Sequence, residues 1–320
     1  MTFSPSAAGS LPAAWKLLAM MRTRTRDTKP FSTISARRLD DLQSPPPGEL
    51  VLGRYRLEER LGAGGFGIVW RARDERLHRA VAVKVIAHAG GPRARREALA
   101  AARLNHPGIV TLYEAGADGS ADYLVSELID GRTLAQLEAD GALSDRDIAA
   151  IGIALCDALA HAHANGVVHR DVKPHNVMIP DQPREGELAK LTDFGVARLA
   201  GAEPLTGTSD IVGTRAYMAP EQAAGQALDE RVDLYALGVV LYEALAGTHP
   251  ARLTDTESLP PLGRVRRGLP RALTVAVDRA VAARADRRGT LDDLRDGLAA
   301  AFGRLAGTPG AIAPARVERR

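Results

Sequence analysis

His169-Arg170-Asp171-Val172-Lys173-Pro174-His175-Asn176, with Asp193-Phe194-Gly195 seventeen residues further on, is the stretch on which the reading of this chain turns. It holds four side chains suited to managing oxygen and charge. Asp171 can accept or orient a hydroxyl proton, and Lys173 can reach an anionic group beside it. Asn176 and Asp193 offer oxygen ligands of the kind Mg²⁺ prefers. Such a set fits phosphoryl transfer, which needs little covalent help and accurately placed charge. Each piece alone occurs by chance; the ordered set does not.

Upstream, Gly62-Ala63-Gly64-Gly65-Phe66-Gly67-Ile68-Val69 has the form G-x-G-x-x-G-x-V. The glycines join two stretches that read as strands, Tyr55–Leu61 and Ile68–Arg73, whereas a dinucleotide fingerprint opens a helix. Without a Cβ in the way, their N–H groups can approach phosphate oxygens. Ala80–Ile86 is a third strand, and mid-strand Lys84 needs a partner or a ligand. Glu97, on a helix running from Pro92 to about Leu104, is the natural one. Ile109–Ala115 and Tyr123–Leu128 read as two more strands.

Beyond Asp130 the pattern turns helical, over Leu134–Asp140, Asp145–Asn165, Val232–Leu245, Leu273–Ala283 and Leu291–Leu305. Strands first and helices after give an α+β fold with a small antiparallel β-rich lobe and a larger α-helical lobe. Residues 1–52, rich in Ser, Thr, Pro and Arg, read as a disordered leader. Residues 53–303 read as the folded domain and 304–320 as a flexible tail.

Lys and Arg number 42 against 39 Asp and Glu, so the net charge of +3 gives no reason to expect nucleic acid. The single cysteine, Cys156, excludes an internal disulfide and suits a reducing compartment. Leu11–Met21 is too short for a membrane span and contains Lys16. The expected location is therefore cytoplasmic, with no membrane span. Only five of the basic residues are lysines: Lys16, Lys29, Lys84, Lys173 and Lys190. In an Arg-rich chain, those that persist mark places where a compact ammonium is not replaceable by a planar guanidinium.

These motifs together resemble the bacterial eukaryotic-like (Hanks-type) serine/threonine protein kinases, from about Gly53 to Gly303. The resemblance implies the bilobal protein-kinase fold, ATP and Mg²⁺ (with Mn²⁺ as the alternative), and protein substrates, with dimerisation left open. It makes Asp171 and Lys173 catalytic, and Asn176 and Asp193 the metal ligands. The nucleotide pocket it implies comprises Leu61, Gly62, Gly64, Gly65, Gly67, Val69, Ala82, Lys84, Glu97, Ser126, Glu127, Leu128 and Met178. Ser126 would stand at the back of the adenine site, where relatives usually carry a bulky side chain. Thr206 and Thr208 match activation-loop phosphosites, with Arg170 and Arg93 as the phosphate-sensing arginines. Ala219-Pro220-Glu221 supplies the A-P-E element, Asp233 a buried aspartate, and Arg288 the partner of Glu221. Lys173 and the Gly213–Tyr217 segment match serine/threonine rather than tyrosine specificity.

Three departures stand out. Lys84 and Glu97 are about six residues closer than usual, Gly289 replaces a usual proline, and the chain between His249-Pro250 and Pro260-Pro261 is short. No sensor domain is recognisable after residue 303. Two rivals share the fold: a scaffold without turnover, which should lack Lys84, Asp171, Asn176 or Asp193, and a small-molecule phosphotransferase, which should lack Thr214 and the A-P-E element. None of these residues is missing.

Overall fold

The computed structural model describes residues 45–64, 67–87, 101–118, 121–194, 216–248 and 259–308. Gly65, Phe66, Arg93, Glu97, Gly195, Thr206, Thr208 and Thr214 lie outside the described residues, as do most of the helix expected from Pro92 and most of the stretch after His249.

Alternation in the strand Arg79–Ala87 organises the smaller lobe. Val81, Val83 and Val85 point to one face and are at most 8% exposed, while Ala82 and Lys84 point to the other. The strands β1 Leu50–Val51, β2 Tyr55–Gly64, β3 Gly67–Asp74, β4 Arg79–Ala87, β5 Leu112–Asp118 and β6 Ala121–Glu127 form one sheet in the order β1-β2-β3-β4-β6-β5. All its pairings are antiparallel. The valines of β4 join Tyr55, Leu57, Ile68, Trp70, Tyr123 and Val125 in a core on the face away from Lys84. Gly67 has φ +135°, and a Cβ there would lie 2.2 Å from the Val85 carbonyl oxygen, so no larger residue fits between β3 and β4.

The larger lobe carries a second sheet, β7 Gly131–Thr133, β8 Val177–Pro180 and β9 Lys190–Leu191, again antiparallel. Its helices among the described residues are α1 Leu134–Ala139, α2 Asp145–Ala164, α3 Pro220–Ala223, α4 Arg231–Ala246, α5 Leu262–Val265, α6 Arg271–Ala280 and α7 Leu291–Phe302. Ser144 caps α2, accepting from the Asp147 N–H while the Asp147 carboxylate accepts from the Ser144 N–H. Ile148, Ile151, Leu155, Leu159 and Ala162 then recur at helical spacing along its buried side. A Cβ on Gly152 would lie 2.8 Å from Leu298 and 2.9 Å from Leu241, so this glycine lets α2, α4 and α7 approach closely. Among the described residues, α2 alone is long and apolar enough to cross a membrane. Here it is the centre of the larger core.

The folded region reaches beyond the expected limits of 53 and 303. Leu50–Val51 pairs with Tyr55 and Arg56 through a tight turn in which Leu52 (φ +50°) and Gly53 (φ +61°) are both left-handed. Leucine at the first of those positions hides the turn from sequence reading, because that conformation favours glycine or asparagine. At the other end Leu305 is 4% exposed, and the Ala306 carbonyl accepts from the Arg146 N–H. Ile109, expected in a strand, instead makes an isolated parallel bridge to Leu191, and β5 begins at Leu112.

Candidate active site

The loop between α2 and β8 is set by one buried carboxylate. Asp233, fully buried on α4, accepts from the backbone N–H groups of His169 (2.8 Å) and Arg170 (2.6 Å) and contacts His163 Nε2 at 2.8 Å. Gln222 donates to the Arg170 carbonyl at 2.9 Å. These bonds hold Arg170 at φ +66°, a strained conformation for a residue with a side chain; such strain costs roughly 1–3 kcal/mol and persists only where its surroundings over-determine it. Asp193 also has a positive φ, +65°.

The loop then turns through a 3₁₀ segment, Pro174–Asn176, and three of the expected residues converge. Lys173 Nζ lies 2.9 Å from Asp171 Oδ2. Asn176 Nδ2 donates to the Asp171 carbonyl at 2.8 Å and to Oδ2 at 2.9 Å. Asp171 is thus fixed by a cation and an amide, and Asn176, with its N–H groups spent on Asp171, keeps its side-chain oxygen for another partner. The Asp171 N–H donates to His169 Nδ1, so His169 Nε2 carries the proton that it donates to the Thr192 carbonyl at 2.8 Å. The same ring stacks, tilted, on Phe194 at 4.4 Å between centroids, coupling the loop to the segment bearing Asp193.

Asp193 faces the other lobe. Its Oδ2 is 2.7 Å from Lys84 Nζ. Burial pushes the Asp193 carboxyl up, but the adjacent ammonium outweighs it and leaves the group below the ordinary carboxylate range. The partner expected from sequence, Glu97, is among the residues not described. Sheet register puts Val69 and Leu124 opposite Lys84, and Ser126 opposite Ala82, on the same side as Lys84. Leu61 sits at an irregularity of β2 and is 49% exposed beside Gly62. Met178 lies opposite Lys190 in the second sheet.

A separate cluster closes the base of the larger lobe. Arg288 donates to Glu221 Oε1 (2.5 Å) and Oε2 (2.7 Å) and to the carbonyls of Ala282, Arg231 and Ala283. All five guanidinium N–H groups are used, and Tyr235 lies under the guanidinium at 4.7 Å. The next residue, Gly289, has φ +79°, which proline cannot adopt. That is the physical content of the departure noted in the sequence.

Sequence reasoning missed His163, Gln222 and the role of Lys190. Nothing local marks the first two. Lys190 did carry a signal, as one of five lysines in an Arg-rich chain.

A protein-family profile described as the protein kinase domain matches residues 55–267. Among curated relatives, a probable serine/threonine-protein kinase of Clostridium acetobutylicum is 40% identical over 210 residues, covering 63% of this chain and 31% of that protein. The serine/threonine-protein kinase PknB of Mycobacterium leprae is 44% identical over 209 residues (62% and 33%), and PknA of Mycobacterium tuberculosis is 43% identical over 219 (65% and 50%). The chain therefore spans a third to a half of the length of the curated relatives it matches. A crystal structure of the M. tuberculosis PknI kinase domain superposes with a TM-score of 0.67 at 28% identity, covering 81% of this chain and 100% of that one.

Proposed function

The chain belongs to the protein kinase domain family, and from that premise we propose that it transfers the γ-phosphoryl of ATP to serine or threonine hydroxyls of proteins. The observation that carries the reading is the convergence of Lys173 and Asn176 on the Asp171 carboxylate, with Lys84 on Asp193 across the cleft. Asp171 orients the acceptor hydroxyl and takes its proton. Lys173, already at its side, neutralises charge on the group in transfer. Lys84 places a point charge where the nucleotide phosphates enter. Ser126 and Glu127 at the end of β6, with Leu128 just after it, face or frame the base, and Leu61, Gly62, Gly64, Gly67, Val69, Ala82 and Met178 complete the pocket.

The donor set fits Mg²⁺ or Mn²⁺. Asn176 has a side-chain oxygen to spare and Asp193 a second carboxylate oxygen beyond the one held by Lys84, and Mg²⁺ is usually bound by one or two such groups plus substrate phosphates. The ion would supply charge neutralisation between the phosphates. A cytoplasmic location goes with this reading, since ATP is the donor and Cys156 is a free thiol.

The deciding test is Asp171→Asn. Loss of one preorganised charge typically costs about 10²–10³ in rate, so the variant should label a generic peptide acceptor at least a hundredfold more slowly with ATP and Mg²⁺. Labelling at the wild-type rate rejects the mechanism. Phosphorylation of Thr206 or Thr208, sensed by Arg170 and Arg93, is the proposed activation step. Mass spectrometry of active protein with neither threonine modified would count against it.

A further inference from the structure

Lys190 is a lysine that the catalytic scheme leaves unused, yet it is 5% exposed. An ammonium so deeply placed survives only when paired. Its Nζ lies 2.9 Å from Glu127 Oε1 and 3.3 Å from Glu187 Oε1. Glu127 is the last residue of β6, where the smaller lobe hands the chain to the larger.

The contact closes a ring of short bonds. Glu127 Oε1 also accepts from the Thr111 N–H at 2.8 Å, and the Glu127 N–H donates to the Thr111 carbonyl at 2.9 Å. The segment before Thr111 is tied to β9, with Val110 N–H donating to the Leu191 carbonyl and Leu191 N–H to the Gly108 carbonyl, both at 2.9 Å. Lys190 completes the circuit from β9 back to Glu127. Two residues after Leu191 stands Asp193.

We propose that Lys190 is a positioning residue for the nucleotide site: it pins Glu127, and with it the backbone that receives the base, to the strand that delivers Asp193. The proposal rests on the kinase reading and adds to it a fixed distance between the base-binding backbone and the phosphate-end carboxylate. Lys190 touches neither nucleotide nor acceptor and acts through Glu127. Because one ring sets both ends of the site, loosening it should weaken nucleotide binding more than the chemical step.

The test is steady-state kinetics on Lys190→Met, Glu127→Gln and the double variant, with thermal melts of each. Lys190→Met should raise KM for ATP about tenfold, with kcat reduced less than about threefold and KM for the peptide unmoved. Glu127→Gln, which keeps an acceptor for Thr111, should raise KM for ATP about threefold. Residues acting as one unit are non-additive, so the double variant should be no worse than Lys190→Met. An unchanged KM for ATP in the single variants overturns the proposal, as do additive effects in the double. So does a fall in kcat and Tm with KM for ATP in place, the mark of a purely structural lysine. If Lys190→Met does not fold, the isosteric Glu127→Gln decides alone. Wild-type turnover in the same assay tests the kinase reading separately; should it be absent, calorimetric ATP dissociation constants for the same proteins still read the positioning.

Discussion

Arg288–Glu221 at the base of the larger lobe and Lys84–Asp193 across the cleft are both cation–carboxylate pairs, built for opposite ends. The Arg288 side chain is 0% exposed and every donor it has is satisfied by protein. Asp193 is 32% exposed and, among the described residues, is held by a side-chain contact to an ammonium that can turn toward something else. Where charge is locked into a complete hydrogen-bond set, it fixes shape. Where it is left partly open, it is free to bind. The difference lies in the donors: a planar guanidinium fills a fixed fork, whereas an ammonium is a mobile point charge.

Breaking the locked pair should have the largest effect. Arg288→Met takes the cation from Glu221, whose side chain is 13% exposed, and strips a fully buried hydrogen-bond set from the lobe, a loss of about 3 kcal/mol, which in a domain of this size lowers Tm by roughly 10 °C. Differential scanning calorimetry on the variant reads it, and a shift under a few degrees would mean the pair is replaceable. Lys84→Arg should do the reverse. The fold stays, with Tm within about 2 °C because the pair is partly exposed, while turnover falls by about 10²-fold as the fork cannot replace a point charge. A variant that melts early but turns over normally when folded would invert the contrast.

A smaller effect is expected where no charge is involved. Ser126 shares a sheet face with Ala82 and Lys84, and in the nucleotide pocket proposed above its short side chain would leave room behind the base. Ser126→Met should cost ATP-competitive inhibitors with large apolar substituents about 2–3 kcal/mol, roughly 30–150-fold in affinity, and leave ATP turnover within a few-fold. Equal inhibition constants on wild type and variant would remove Ser126 from the pocket.

Smallest is a pH effect at a carboxylate with no paired cation among the described residues. Glu138 Oε1 is buried with no hydrogen-bond partner among the described residues. Burial first, and then the charge of Glu243, push its carboxyl up to about 8 from the ordinary 4.5. Between those values the folded chain holds a proton that the unfolded chain has released, so stability falls as pH rises from about 5 to 8. Glu138→Gln should remove roughly 1–2 kcal/mol of that fall, seen as a urea midpoint that rises relative to that of the wild type as pH goes from about 5 to 8. Parallel curves for the two proteins would place Glu138 in water.

How far the sequence could be read follows the distance between the residues involved. Asp171, Lys173 and Asn176 lie within six positions, and a loop that short leaves few ways to arrange them; the structure brings them together. The strands announced themselves by alternation and α2 by its period, because burial on one face is written locally. The β1 turn was not legible, since Leu52 adopts a conformation its side chain disfavours, with Gly53 and the pairing to β2 sustaining it.

The sequence by itself determined the family of motifs, the lobe order and the identity of the charges in the cleft. Only the tertiary structure decided what those charges touch. Lys84 meets Asp193 across 109 residues of chain, Glu221 meets Arg288 across 67, and Lys190 meets Glu127 across 63. Each of these side chains could pair with many others of opposite sign. What selects one is the packing of α4 against α2 and α6 and of β9 beside the Gly108–Thr111 segment, which brings two backbones within reach and shuts out water that would otherwise serve as the partner.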